Sequence, residues 1–529
     1  MEVLLLLRAE RGDHNSGAWV FPGGLVDAAD RDAHVLCHGI DDAAASERLG
    51  LARGGLDFHI AAIRECFEEC GLLFAVDAAG VHPEAATVLA LQDWRVRLHR
   101  AEVSLREFAT PHGLRLDTGR LAYLSHWLTP LARAKRFDTR FFIAEAPAGQ
   151  VALHDGSEMT DHRWLRPVDA LAQGDALKLM GPTRATLMSL ADFQTAADAI
   201  AWARSVRDVP RIFPRIGIDA DGPRPVMPNE FAWAELGRLD PQGHGLARCD
   251  IEPGRAVRLS PRIVRVTAPN AGVMTGPGTN TYLVGSEGGE WAAIDPGPLN
   301  AAHVDALILA APGPITRIFV THTHRDHSPN AAALKARTGA IVLGRVADHP
   351  DRQDAGFMPD QPLAGGERIA LAPGTTLRVI HTPGHASNHL CYLLEEEKTL
   401  FTGDHVMQGS TVVINPPDGD MAAYLQSLRG LADLADCSIE WLAPGHGFLI
   451  EEPRRAFEAI VRHRLKREAK VVAALQALAP ATAEQLLARV YDDVQPGLHA
   501  VAMRSLLAHL FKLRDEQAAI ERAGRWSIA

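Results

Sequence analysis

Short apolar runs that stop at a glycine, a proline or a threonine and then meet a histidine or aspartate recur through the second half of the chain. Residues 317–320 read as a buried strand, which leads into Thr321, His322, Thr323, His324, Arg325, Asp326 and His327. Ser328 and Pro329 then stand as N-cap and first-turn residues of a helix through 331–337. Residues 378–381 lead in the same way to Gly384 and His385, 399–402 to Gly403 and Asp404, and 441–443 to Gly445 and His446. Further strands are expected over 262–266, 281–285 and 290–295. His and Asp placed repeatedly at strand ends build one shared site on a rigid sheet edge. Alternation puts His322 and His324 on one side of the extended loop, and Asp326 and His327 follow where the chain turns. The loop can therefore offer two separate pairs of ligands to two metals.

The first half is patterned differently. Residues 3–7 and 18–21 read as strands, an acidic, alanine-rich stretch follows, and a helix then carries Arg64, Glu65, Cys66, Phe67, Glu68, Glu69, Cys70, Gly71 and Leu72. Glu65, Glu68 and Glu69 stand at i, i+3 and i+4, so three carboxylates share one helix face. That crowding is unfavourable unless a cation sits among them, and oxygen ligands suit Mg²⁺ or Mn²⁺. A solvated acidic face partly balanced by Arg64 is the alternative. Helical patterns over 182–193 and 195–206 close this part, and eight prolines from Pro210 to Pro261 mark a connecting segment with short hairpins. At the far end, helices over 464–478, 483–490 and 499–513 precede short strands near 519–520 and 526–528, a winged-helix order.

A chain of 529 residues exceeds one core, and about 150 residues per domain implies three or four. The expected organisation is an α/β multidomain protein. It has a first domain over 1–208 with an insertion at about 31–56, a connecting segment over 209–258, a second domain over 259–461 and a tail domain over 462–529. The net charge of −11 works against non-specific nucleic-acid binding by the whole surface. The tail differs: from 462 to 529 there are 11 Lys and Arg against 7 Asp and Glu, which is +4 and leaves −15 elsewhere. Arg462, Arg464, Lys466, Arg467 and Lys470 either contact phosphate or form a solvated face, and the solvated face is the expectation. Six cysteines without a C-x-x-C pair suit a reducing compartment. The opening residues lack a basic leader, and no apolar run approaches the ~20 residues of a membrane span. The expected location is cytoplasmic.

The run from Arg64 to Leu72 resembles the second half of the Nudix box. Gly24 with Asp30 resembles its displaced first half, with Asp for Glu and 26 extra residues before Arg64; without an insertion the Glu position would fall on Leu56. Together with Phe21, Pro22, Gly23 and the later Trp127 and Arg136 segments, this looks like insertion-bearing Nudix proteins related to coenzyme A diphosphatases. The resemblance implies an α/β/α sandwich, Mg or Mn held by Glu65, Glu68 and Glu69, and Arg64 orienting them. It also implies hydrolysis of a nucleoside diphosphate-linked substrate, with Glu68 and Glu69 as catalytic residues. Glu158 lies where a further Nudix carboxylate often falls.

In the second half, His322, His324, Asp326, His327, His385, Asp404 and His446 make seven ligands, too many for one tetrahedral zinc, whereas two metals sharing one carboxylate account for the number. Asp295 reads as a carboxylate holding the histidine loop, and His349, His381 and His389 as structural. The set resembles the metallo-β-lactamase superfamily, an αβ/βα sandwich, across about 260–450. The resemblance implies two Zn: His322, His324 and His385 on one, Asp326, His327 and His446 on the other, and Asp404 bridging, with Asp326 and Asp404 catalytic. The Thr275 to Tyr282 run and the turns holding His385 and His446 look closest to β-lactamase-like endoribonucleases, with glyoxalase II thioesterases nearby. The implied protein is a pair of fused metallohydrolases, the second cleaving a thioester, ester or phosphodiester. The alternatives are an endoribonuclease that holds RNA with its tail, and a nucleic-acid-binding regulator whose metal domain senses a ligand. Expected partners are small thioesters, esters or nucleotides, with RNA under the alternative, a homodimer allowed and no membrane.

Overall fold

The first apolar run forms strand β1 (Val3–Arg8), which pairs antiparallel with β2 (Trp19–Val20) on one side and β5 (Met159–Leu165) on the other. The computed structural model describes residues 1–10, 16–349 and 353–529. These divide into one unit of 1–129 and 133–213 and another of 130–132 and 214–529.

In the first unit β1 is buried on both faces. Leu4 and Leu6 pack with Ile60, Ile63 and Phe67 of helix α2 (Gly55–Cys70), while Leu5 packs with Trp19, Ala170, Leu177 and Leu187 on the opposite side. A second small sheet pairs β3 (Ala122–Leu128) with β4 (Asp138–Ile143). Helices α3 (Gly181–Leu190) and α4 (Ala196–Ser205) follow, as the periodicity predicts. The expected insertion at 31–56 is folded. A 3₁₀ segment, Ala28–Leu36, is capped by Asp27, and α1 (Asp42–Leu49) is capped by Asp41. Ala33, Ala45 and Leu56 enter the same core as α2.

The second unit is built on two stacked sheets. The first runs in the order β8 (Ala256–Ser260), β9 (Ile263–Thr267), β10 (Asn280–Gly285), β11 (Trp291–Ile294), β12 (Ile315–Phe319), β13 (Ile341–Gly344) and β14 (Gln361–Pro362). It is antiparallel up to β11 and parallel beyond it. The second runs β15 (Arg368–Ala372), β16 (Thr375–His381), β17 (Leu390–Leu394), β18 (Thr399–Gly403), β19 (Trp441–Pro444) and β20 (Ile450–Glu451). Strand alternation sorts the apolar residues between two faces. Ile263, Tyr282, Ile294 and Phe319 meet Leu377, Val379, Tyr392 and Phe401 between the sheets. Val264, Leu283 and Ile318 turn outward onto helices α6 (Ala301–Ala310) and α7 (Asn330–Thr338). Leu393, Leu400 and Leu442 turn outward onto α8 (Met421–Ser438) and α9 (Pro453–Leu478). Each large apolar side chain so buried contributes about 1.5–3 kcal/mol. The result is the helix–sheet–sheet–helix sandwich expected.

Three local expectations change. Helix α7 begins at Asn330 without a side-chain cap, because the Ser328 hydroxyl donates to Asp354 at 2.8 Å instead. Much of the segment expected as a connector packs as structure of the second unit: the short hairpin expected there, β6 (Arg215–Asp219) and β7 (Gly222–Val226), is followed by helix α5 (Ala232–Leu239). Its Glu235 makes a fully buried pair with Arg265 of β9, at 2.6 and 2.9 Å, and accepts the Leu449 amide at 2.9 Å. The tail's first helix, α9, is continuous from 453 to 478. Beyond it come α10 (Ala483–Val490), α11 (His499–Asp515) and the hairpin β21 (Ala519–Arg522) and β22 (Arg525–Ile528).

Candidate metal centres

The parallel strands β12, β18 and β19 and the antiparallel β16 all deliver ligand-type residues to one edge of the sandwich. Among the described residues, His322, His324 and His385 form one group and Asp326, His327, Asp404 and His446 a second, with ligand atoms within 4.8 Å of one another in each. Asp404 points one oxygen each way. Its Oδ1 lies 3.3 Å from His327 Nε2 and 3.2 Å from His446 Nε2, and its Oδ2 lies 3.9 Å from His385 Nε2. Asp326 Oδ2 sits 3.5 Å from both His327 Nε2 and His446 Nε2.

The far nitrogens of four of the five imidazoles show how the rings are turned to serve as ligands. The Nδ1–H of His385 donates to the Val413 carbonyl at 2.9 Å, and that of His446 to the Gly278 carbonyl at 3.1 Å. His327 donates Nδ1–H to Asp295 at 2.9 Å. His322 Nδ1 is 3.0 Å from the Thr321 hydroxyl, which donates its own proton to Asp295. Carbonyl and carboxylate oxygens only accept, so these contacts place a proton on Nδ1 and turn Nε2 toward the site, where that of His385 meets His324 Nδ1 at 3.0 Å. Nε2 of His322, His327 and His446 and Oδ1 of Asp404 are then buried with no hydrogen-bond partner among the described residues. Unpaired polar atoms at that depth are destabilising, and several aimed at one space fit missing cations. Gly445 keeps that space open: a Cβ there would lie 2.6 Å from Asp404 Oδ1 and 2.8 Å from His327 Cε1.

The two groups differ electrically. Burial and neighbouring imidazoles hold His322 and His385 below the usual histidine range and His324 at about 3, so the three-histidine group is neutral. Burial also acts to lower His446 and His327, but Asp404 and Asp326 outweigh it, lifting His446 to about 9 and His327 well above its ordinary value. In the second group a divalent cation would compete with protons for the same ring nitrogens.

Asp295 holds the loop as expected, accepting the Thr321 amide and hydroxyl, both at 2.7 Å, besides His327. His389 is buried with its ring stacked on His322 at 5.1 Å, His381 reaches the Ser387 carbonyl, and His349 is exposed. The sequence reading missed Asn280, whose amide donates to the Pro444 and Gly447 carbonyls at 3.1 and 2.8 Å and so fixes the His446 turn. It also missed Thr323, which donates to Gln353 and accepts from Asn388. These partners lie 30 to 167 positions apart, and no local pattern announces them.

In the first unit α2 turns its carboxylates toward the Gly23–Gly24 loop. Glu69 accepts the Gly23 amide at 2.8 Å, and Gly24 lies so close to Glu65 that a Cβ would fall 2.4 Å from its carboxyl carbon. Arg64 bonds Glu65 at 2.8 Å and reaches Glu68 at 3.4 Å, while buried Asp30 grips Arg64 at 2.8 and 3.2 Å. Asp30 is thus committed to the arginine. Glu158 pairs with Arg8 at 3.3 Å and adds its negative charge to Glu65 and Glu69. Burial foremost lifts Glu69 to about 9 and Glu68 to about 7, with the neighbouring carboxylates pushing the same way. The three carboxylates do not converge as tightly as the histidine groups do.

Three family models match the chain in order: a NUDT19 Nudix domain over 43–179, the metallo-beta-lactamase superfamily over 274–446 and a beta-lactamase associated winged helix domain over 482–526. Among curated proteins, an atrochrysone carboxyl ACP thioesterase of Aspergillus chevalieri is 32% identical over 287 residues, 51% of this chain and 88% of that protein. The thioesterase pkgB of Emericella nidulans is 36% identical over 220 residues, 41% of this chain and 60% of that protein. A metallo-beta-lactamase family protein from Thermus thermophilus aligns with 51% of this chain and 100% of its own, at 24% identity and a TM-score of 0.43.

Proposed function

Since the chain belongs to the metallo-β-lactamase superfamily, joined to a Nudix domain and a winged-helix domain in one hydrolase, we propose that its second unit is a two-metal hydrolase of acyl thioesters. The observation that carries this is Asp404, which points one oxygen toward each of two groups of ligand-type atoms. His322, His324 and His385 would hold one ion, Asp326, His327 and His446 the other, and Asp404 would join them. Two divalent ions there would acidify water and polarise a carbonyl oxygen. The chain's own part is to fix the donors: the four Nδ1 contacts lock the rings of His322, His327, His385 and His446, and Asp295 ties His327 directly, and His322 through Thr321, to one carboxylate. The named thioesterases among the relatives favour a thioester.

The tail favours a small substrate over RNA. Helix α11 stands where winged-helix proteins place the helix that enters DNA, yet Leu506, Ala508, His509, Leu510 and Leu513 are buried, and Ala508 joins the core under α8. Of the five basic residues at the tail's start, Arg464 and Arg467 are buried, Arg467 pairing with Asp493 at 2.7 Å. That pair leaves the solvated face expected from sequence and is not free for phosphate.

The first unit would hydrolyse a diphosphate bond with Mg or Mn held by Glu65, Glu68 and Glu69, because only carboxylates are offered there. The test is metal analysis of the purified protein together with acyl-coenzyme A, RNA and dinucleotide hydrolysis. About two zinc-like ions in the second unit and cleavage of the thioester but not RNA are expected. RNA cleavage with an untouched thioester overturns the substrate reading.

A further inference from the structure

Arg464 of α9 is buried, and among the described residues no carboxylate lies within ion-pair distance of it. A guanidinium at such depth is destabilising, and an apolar residue of similar volume would be less so. What it touches is specific. Its Nη2–H donates to the Val412 carbonyl, and its guanidinium carbon lies 5.6 Å from the centre of the Tyr424 ring. The carbonyl of the next residue, Val413, is the acceptor that orients His385, at 2.9 Å. The Tyr424 hydroxyl donates to the carbonyl of His405 at 2.8 Å, one residue after Asp404. A single cation therefore touches both the backbone behind one proposed ligand and the ring behind another. We infer that Arg464 is a positioning residue of the metal centre, holding the Val412–Val413 backbone and Tyr424 so that His385 and Asp404 keep the orientation in which they can receive an ion.

This rests on the two-ion reading, and it gives the tail helix a task distinct from substrate binding. Partners that orient metal-binding histidines typically matter by 10- to 100-fold in affinity. The experiment strips the full-length protein with a chelator and titrates it with Co²⁺ and Zn²⁺ against a chromophoric competitor. Wild type should take up two ions in the second unit. Arg464→Met should weaken the ion held by the His385 group about 10- to 100-fold and alter its Co²⁺ absorption bands, while the second ion changes less. Arg464→Lys, which keeps a donor for Val412, should restore most of the affinity. Wild-type affinities and spectrum in Arg464→Met overturn the inference, even if its melting temperature falls. If that variant does not accumulate folded, Tyr424→Phe carries the test, since it removes only the hydroxyl on His405: weaker binding of an ion by about 10-fold supports the inference and unchanged binding overturns it. A wild type that takes up no ions fails the two-ion reading itself, whereas two ions in wild type and equal affinities in the variants fail this inference alone.

Discussion

In the second unit, seven ligand-type side chains arrive from four separate strand ends and converge within 4.8 Å in two groups. In the first, three carboxylates come from five consecutive positions of one helix, 65 to 69, and stay further apart. The convergent site is held by long-range bonds to the far atom of each ring, so its geometry is set before a cation arrives. The helical site is held by Arg64 and by the Gly23 amide, and its carboxylates keep raised proton affinities instead. Preorganisation thus demands either an elaborate chain topology with little local sequence, or the reverse. The convergent site should be exacting about each ligand, and the helical site more dependent on the ion to finish it.

Asp404→Ala gives the largest effect that could break this contrast. It should cost at least one of the two ions and about 10³-fold or more in thioester turnover, read by metal content and acyl-coenzyme A hydrolysis. Retention of both ions with full activity would remove Asp404 as the joint. Glu69→Gln should abolish the Mg- or Mn-dependent activity, by about 10²-fold or more, without touching thioester turnover; parallel loss of both activities would show that the two centres are not independent. Next is the buried pair behind the His446 turn. Glu235→Ala leaves Arg265 a lone buried cation and should cost about 3–5 kcal/mol in denaturant unfolding, and a loss under about 1 kcal/mol would contradict the burial argument.

A pH series sharpens the comparison. Glu68 and Glu69 stand at about 7 and 9 in the folded protein against an ordinary 4.5, so the folded state binds more protons across that window. Below about 6.5 the buried His322, His324 and His385 act the other way, because they stay neutral in the folded protein while the unfolded chain takes up protons, so without divalent ions stability should be highest near pH 6.5 and fall as pH rises toward 9. His446, raised to about 9, acts in the same direction, its contribution present below about 6.5 and lost through 9. Mg²⁺ or Mn²⁺ should flatten the first fall and Zn²⁺ the second, as measured by melting temperature in metal-free and reloaded protein. A flat metal-free profile would mean that neither cluster awaits a cation. The smallest effect is with salt: thioester turnover should change little between about 50 and 200 mM, a range over which phosphate-bound substrates lose about 10³- to 10⁵-fold in affinity.

The ligand loop was legible because its spacing is local, and strand after strand ends in a glycine or a threonine followed by a ligand. Most strands of the sandwich and the tail's helices followed from periodicity in the same way, whereas the two-sheet sandwich came from the family resemblance. What escaped was decided at a distance. Ser328 looks like a helix cap until Asp354 takes its hydroxyl. Arg464 and Arg467 look like surface charge, yet they stand in register with Phe457, Ile460, Val471 and Ala474 on the buried stripe of α9. That spacing was visible in the sequence, and the positive charge outweighed it. The prolines from Pro210 to Pro261 suggested a connector with short hairpins, and the β6–β7 hairpin is there; the pairing of Glu235 with Arg265 escaped because it lies 30 positions apart and has no local signature.

The pair of Glu235 and Arg265 also bears on how such a protein could have been joined from parts. Glu235 neutralises a strand residue of the sandwich and holds the backbone just past His446, so residues 214–258 travel with the second unit. A gene cut at 259 would inherit a sandwich with a buried, unmatched arginine, while a cut between Phe213 and Pro214 keeps both charges in one inheritance. A seam there, about 40 residues before the first strand of the sandwich, keeps the buried pair together and divides from the second unit only residues 130–132.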